Sequence, residues 1–153
     1  MAADLRRWVA PSTVALAAVG LALSAYLTVE HFRDPGTLAC PATATVNCAR
    51  VTTSAQATLL GVPVAVLGVA FFAAMVLVCL PVAWRDLRLT RIRAALAAVG
   101  VGFVIYLVYA ELFLVGSICL WCTAVHAVAL ALFAAIAFAT AGMTAGTDLP
   151  RHR

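Results

Sequence analysis

Four apolar runs, each about as long as a bilayer is thick, leave this chain few ways to fold. They occupy residues 9–29, 62–83, 94–115 and 117–140 of the 153. A helix rises 1.5 Å per residue, so ~20 apolar residues cross the hydrocarbon core of a membrane. Only 10% of the residues are charged, where a soluble domain carries ~25%. Backbone N–H and C=O groups in lipid must bond within the protein, so runs of this length are read as helices. The expected architecture is an all-α, four-transmembrane-helix bundle forming one integral-membrane domain, with no room for a separate soluble domain.

The first run is longer than the ~7–15 apolar residues of a signal peptide. Leu38-Ala39-Cys40 faintly matches a lipoprotein cleavage site, but Glu30, His31, Arg33 and Asp34 separate it from the apolar run. The first segment is therefore expected to stay as a span. The outer loop, 30–61, holds Cys40 and Cys48. Within it, Asn47 to Leu60 lacks a helix breaker, and Val51, Ala55 and Leu59 recur every four residues. This spacing predicts a short amphipathic helix on the membrane surface. Gly61-Val62-Pro63 opens the second span, with Pro63 in its first turn. Trp84 reads as an interfacial anchor, and 84–93 as a cytoplasmic loop. A polar tail follows from Ala141.

Arginine supplies all ten Lys/Arg residues of the chain, which suggests a GC-rich bacterial genome. Four spans with both termini inside put Arg6, Arg7, Arg85, Arg88, Arg91, Arg93, Arg151 and Arg153 in the cytoplasm, and only Arg33 and Arg50 outside. That bias obeys the positive-inside rule. The net charge of +4 is thus a topology signal and does not imply nucleic-acid binding. The same topology gathers Cys40, Cys48, Cys119 and Cys122 at the outer face. Cys79 is left near the inner end of its span as a small buried hydrophobe.

Cys119-Leu120-Trp121-Cys122 places two thiols at C-x-x-C spacing where the fourth run begins, with Ser117 as the expected N-cap. A helix N-terminus favours a thiolate, because its unpaired N–H groups stabilise negative charge. Outward cysteines have three readings: a dithiol relay, two structural disulfides, or a metal site. A staple across one turn adds little to a helix already held by its own hydrogen bonds. The C-x7-C spacing of the loop is wide for zinc. In a relay, the loop pair meets a soluble thiol protein and the C-x-x-C pair meets a lipid-soluble acceptor, with exchange between the pairs through a mixed disulfide. A quinone fits as acceptor. A nucleotide does not, for want of a Gly-rich phosphate motif.

Taken in order, these features resemble a bacterial member of the vitamin K epoxide reductase family over roughly Val9 to Phe138. The resemblance rests on Cys40 and Cys48, then Ser54 six residues later. Gly61-Val62-Pro63 with Gly68, Glu111-Leu112, and Cys119-Leu120-Trp121-Cys122 complete it. The disulfide-forming protein DsbB shares four spans and two outward cysteine pairs, but its C-x-x-C comes first in the chain. The resemblance implies that Cys119 and Cys122 are the active-site pair. Cys122 would lie nearest the quinone, Cys119 would exchange with Cys48, and Cys40 would accept attack by the partner's thiolate. It also implies that Ser54 orders the loop above the pocket.

Two positions depart from the vertebrate pattern. His126 stands where those members carry a tyrosine, and Val64 lies near the place of a quinone-contacting asparagine. Both changes weigh against epoxide chemistry and leave quinone reduction open. His126 shares a helix face with Cys119 and Cys122. An intramembrane histidine is costly enough to be a candidate for a quinone hydrogen bond or a proton transfer. Glu111, Phe72 and Tyr109 complete the candidate quinone-binding set. Glu111 has a structural alternative, as a cap or a headgroup contact, and the aromatics have one in packing. Trp121 reads as an interfacial aromatic.

The resemblance therefore implies a quinone-coupled thiol–disulfide oxidoreductase of the bacterial inner membrane. It would reoxidise a secreted thioredoxin-fold (DsbA-like) partner and reduce a menaquinone-type quinone or ubiquinone, without metal or nucleotide. Many bacterial members carry a fused thioredoxin-like domain; this sequence has none, so a separate partner is expected. The alternatives are a quinone or vitamin K epoxide reductase serving the quinone pool, and a non-enzymatic, disulfide-stapled membrane scaffold.

Overall fold

The computed structural model describes residues 2–33 and 38–145. Asp34, Pro35 and Gly36 of the outer loop, and Arg151 and Arg153 of the tail, lie outside the described residues. The elements are helix α1 (Ala2–Phe32), α2 (Cys48–Thr52), strands β1 (Thr58–Leu59) and β2 (Val62–Pro63), α3 (Val64–Cys79), α4 (Leu87–Tyr109) and α5 (Leu120–Ala145). Short 3-10 turns follow α2 and α3, and a π-helical segment, Ala110–Val115, prolongs α4. Among the described residues, three helical stretches are long and apolar enough to cross a membrane: Trp8–Phe32, Leu87–Val115 and Leu120–Ala141. Helix α3 is apolar but has only 16 residues, about 24 Å of rise.

Helix α1 is the hub of the bundle and packs chiefly on α3 and α5, while α4 closes the far side against α5. The core is layered. One cluster of buried side chains, from Ala17, Phe72, Met75 and Cys79 to Ala129, Leu132 and Ile136, fills the middle and one end of the bundle. A second, of Leu27, Leu38, Cys48, Val51, Val115 and Cys119, sits under the cysteine loop. Apolar side chains such as Leu77, Ile105 and Phe138 remain exposed on the outside of the bundle, as expected of helices with the length and composition to cross a membrane. Cys79 is a fully buried free thiol within the first cluster.

Several sequence expectations need correction. The continuous surface helix over 47–60 is instead five residues of α2, a 3-10 turn and a two-stranded hairpin. Asn47 caps α2 by accepting the Arg50 N–H. The hydroxyls of Thr53 and Ser54 then donate to the Ala49 and Val51 carbonyls. Such side-chain bonds compete with helix continuation. Leu60 and Gly61 turn back with positive φ, pairing Leu59 with Val62 and Thr58 with Pro63. Pro63 therefore precedes the α3 helix rather than lying in its first turn.

The loop expected over 84–93 is mostly helix, because Asp86 caps α4 by accepting the Arg88 N–H. Arg93 is fully buried. Its Nε donates to the Val78 carbonyl and one Nη to that of Ala83, at 2.9 and 3.2 Å. The guanidinium lies 3.6 Å from the centre of the Trp84 ring, and Trp84 donates in turn to the Cys79 carbonyl. Arg93 thus satisfies the Val78 carbonyl, which the end of α3 would leave unpaired, and adds a second bond to the Ala83 carbonyl, which also accepts the Asp86 N–H.

Candidate redox and quinone site

The site begins where α4 ends. The π-helical turn widens the helix, and Gly116, at φ 66°, reverses the chain. The N–H groups of Gly116 and Ser117 both donate to the Glu111 carbonyl. A side chain with Cβ is strained at that φ, so the glycine is required. The chain then crosses the top of the bundle extended. Ile118 forms a parallel bridge with Val46, its N–H donating to Thr45 and its C=O accepting from Asn47. Those two bonds join the loop carrying Cys48 to the segment carrying Cys119.

Helix α5 starts at Leu120 and not at Ser117, so the expected cap shifts to Cys119. The Cys122 N–H donates to Cys119 Sγ at 3.2 Å, and the Thr123 N–H to the Cys119 carbonyl at 2.9 Å. Cys119 occupies the place that serine or aspartate usually takes at a helix start. The Cys122 thiol donates to the same sulfur, with the two Sγ atoms 2.6 Å apart. Cys119 lies just before the membrane stretch that begins at Leu120. The Cys122 thiol, together with the backbone N–H groups, holds the Cys119 thiol below its ordinary pKa against the opposing effect of burial.

The loop pair is in the other oxidation state. Cys40 and Cys48 form a disulfide, which uses two of the four sulfurs a four-thiolate metal site would need. Cys48 is buried in the same cluster as Cys119, whereas Cys40 is only half-buried. The disulfide therefore has one half in the buried cluster that contains Cys119 and the other half partly exposed at its edge. Trp121 fixes this arrangement from below. Its Nε1 donates to the Ala39 carbonyl at 3.0 Å, and its ring packs 4.7 Å from that of Tyr26. It is a tie between helix and loop.

Beneath the loop lies a cavity of about 320 Å³, walled by α1, α3, α4 and α5 and roofed by the loop. That volume is at the lower end for small-molecule pockets. Cys122, His126, Glu111, Phe72 and Ser54 all line it. Ser54 donates its hydroxyl to Val51 at 2.7 Å, closing the roof turn. Glu111 and His126 are buried, at 7% and 6% exposure, and both also border a groove between α4 and α5. The Glu111 carboxyl faces the Cys119 backbone N–H. A carboxylate and an imidazole thus stand between that groove and the cavity.

Tyr109 is the exception among the candidates. It is 52% exposed, stacks on Phe113 and faces away from the cavity. The π-helical segment begins one residue after it, so periodicity alone misjudged its neighbourhood. Reading the sequence misses Ser24 and Phe103, both of which line the cavity, and Phe71 lines it as well. Nothing in the sequence separates Ser24 from the other hydroxyls of the first run. The phenylalanines are indistinguishable from ordinary packing residues. Val64 lines the cavity too and can offer no side-chain hydrogen bond.

No curated protein matches this sequence significantly. The sequence model of the vitamin K epoxide reductase family matches residues 11–137, a stretch that contains the loop disulfide, the cavity and both thiols of the C-x-x-C. Members of that family are membrane-embedded oxidoreductases acting on disulfides. With a family match of that extent and a paired-cysteine site at one end of an apolar helical bundle, the chain belongs to the vitamin K epoxide reductase family.

Proposed function

We propose that this protein reoxidises a secreted thioredoxin-fold partner and passes the electrons to a membrane quinone, supporting disulfide-bond formation. One observation carries the reading. Cys119 touches Cys122 and shares a buried cluster with Cys48 of the loop disulfide, while Cys122 lines the cavity. That arrangement forms a line of sulfurs from the surface to an apolar pocket. On this reading four helices cross the bacterial inner membrane, α3 completed by its flanking turns. Both termini are cytoplasmic, and the cysteine pairs face outward.

Electrons move along the line by thiol–disulfide exchange. A thiolate of the reduced partner attacks Cys40, forming a mixed disulfide and releasing Cys48 as thiolate. With Cys119 and Cys122 oxidised, Cys48 attacks Cys119, forming a Cys48–Cys119 bridge and releasing Cys122. The partner's second thiolate attacks its own mixed-disulfide sulfur, leaving the partner oxidised and freeing Cys40. Cys40 then attacks Cys48, restoring the loop disulfide and freeing Cys119. The C-x-x-C now holds the two electrons. A quinone in the cavity is the acceptor for two electrons and two protons. Cys122 lies against it, Phe72 and Val64 exclude water, and His126 and Glu111 are placed to hold protons near its oxygens. Val64 offers no polar contact, which favours plain quinone reduction over epoxide chemistry.

The test mixes the purified protein with a reduced DsbA-like protein and menadione, following quinone absorbance and partner thiols together. Coupled turnover is expected. Cys122→Ala should stop it and trap a Cys48–Cys119 bridge, seen as a reductant-sensitive mobility shift. Quinone reduction by Cys122→Ala at the wild-type rate would defeat this assignment, and a scaffold would show no turnover in any form.

A further inference from the structure

We propose that the protons consumed in quinone reduction enter the cavity from its cysteine end, through a polar mouth at His31 and Gln56, and that His31 carries them in. This rests on the reading of the cavity as a quinone site and names the side of the membrane that supplies the protons.

Thiol–disulfide exchange makes a separate delivery necessary. Each of its steps is attack by one thiolate and release of another. The partner's two thiols therefore leave their protons in the outer water, and the two electrons reach Cys119 and Cys122 without them. As the C-x-x-C closes to a disulfide, a quinone that gains the two electrons becomes a quinol only by gaining two protons, one on each oxygen. Those protons must reach the cavity by a route other than the sulfurs, whether the Cys122 thiol or a ring oxygen takes them first.

The polar residues of the cavity wall are graded in depth. His31, Thr52, Ser54 and Gln56 are half-buried, whereas Glu111 and His126 are buried. His31 shares one face of α1 with Leu27 and Ser24, and all three line the cavity. Leu27 packs in one cluster with Cys119. Four residues further along α1, His31 stands about 6 Å nearer the cysteine end. The Thr52 and Ser54 hydroxyls are already committed to the Cys48 and Val51 carbonyls. His31, whose ring meets Phe32 edge-on, and Gln56 make no side-chain hydrogen bond among the described residues. Nor are their polar atoms sealed, as Ser24 Oγ and Arg93 Nη1 are. They keep surface that water or a proton carrier can reach.

The other directions lack such groups. At the floor of the cavity, Phe72 and Ala129 belong to the apolar cluster with Met75, Leu132 and Ile136. Cys79 and Arg93 lie toward the far end of the bundle, and neither lines the cavity. The groove between α4 and α5 borders Glu111 and His126 but is walled mainly by valine, leucine and alanine. A charge crosses apolar surroundings only at high cost. An imidazole at the polar mouth can accept a proton at one nitrogen and release it from the other. From there Glu111 and His126 are the next ionisable groups along the wall. Protons are thus released and taken up on one side, and turnover moves none across the membrane.

The test uses full-length protein in oxygen-free phospholipid vesicles, with reduced DsbA-like protein and menadione added outside. Only molecules whose cysteine loop faces the outer solution can meet the partner. A pH-sensitive dye trapped inside should report a constant pH during turnover. Interior alkalinisation in step with menadione reduction would overturn the proposal. In detergent, His31→Ala should lower kcat about tenfold, less than the ~100-fold of a placed general acid because water still reaches the mouth. Its KM for menadione and its melting temperature should stay at wild-type values. Added imidazole should restore turnover, which it would not do for a packing defect. His31→Gln, polar but unable to carry a proton, should be slowed equally. Wild-type kcat in both variants, or a loss that imidazole does not restore, would overturn the role of His31. A wild-type protein that reduces no menadione would instead overturn the quinone reading of the cavity, a result distinct from either failure.

Discussion

The end of the bundle away from the cysteines buries Arg93, whose Nε and one Nη are bound to the Val78 and Ala83 carbonyls under the Trp84 ring. The cysteine end buries Glu111, His126 and Ser24, and these border a cavity instead. Both ends carry the expense of polar groups in an apolar bundle. At one end the protein itself supplies partners for two of the three guanidinium nitrogens, Nη1 being left without one, so the polar group closes a helix terminus and fixes the packing. At the other, Glu111 and His126 line a cavity beside the Cys122 thiol. Burial of a polar side chain does not by itself mark a site; where its polar atoms point does.

The contrast is sharpest in variants that separate stability from chemistry. Cys119→Ser should reduce coupled turnover by at least about a hundredfold, because a hydroxyl cannot replace the attacking thiolate. Serine is a good helix cap, so melting should change little. A large loss of stability would mean that the sulfur matters to the fold as much as to exchange. At the opposite end, Arg93→Met should cost about 3 kcal/mol, as for breaking a buried charged group's contacts. It should leave KM for menadione unchanged in the protein that folds. Calorimetry beside steady-state kinetics would show this, and a raised KM with normal melting would break the division between the ends.

Smaller effects probe the roof. Trp121→Phe removes the bond to the Ala39 carbonyl and should cost about 1 kcal/mol. It should also slow formation of the loop-to-helix bridge in the trapping assay. Wild-type bridging kinetics would show that the Ile118–Val46 pairing alone holds the loop. Tyr109→Phe should have the smallest effect, leaving KM for menadione at the wild-type value, because the ring faces outward against Phe113. A changed KM would move the cavity wall.

Much of the site was legible in order along the chain. Cys40, Cys48, Cys119 and Cys122 stand out because thiols at such spacings have few uses. Glu111 and His126 stand out as polar groups in apolar settings, and Ser54 only through the family resemblance. Tyr109 and Ser117 were misplaced for local reasons. A π-helical turn and a left-handed glycine shift the register between α4 and α5, and neither leaves a periodic signal. The surface helix failed because threonine and serine hydroxyls compete for its carbonyls, an effect that hydrophobic spacing does not register. Arg93 read as a loop charge because a basic residue near a span end is usually solvated.

The sequence by itself determined that the chain is a helical membrane protein with two cysteine pairs, because hydrophobic length and thiol spacing are local quantities. Only the tertiary structure decided which sulfur meets which and what the polar groups face. The Ile118–Val46 bridge sets Cys48 and Cys119 in one buried cluster. The approach of α1 to α3 sets the Ser24 hydroxyl against Gly68 without a hydrogen-bond partner. Those facts depend on contacts between residues far apart in the chain, and no local pattern encodes them.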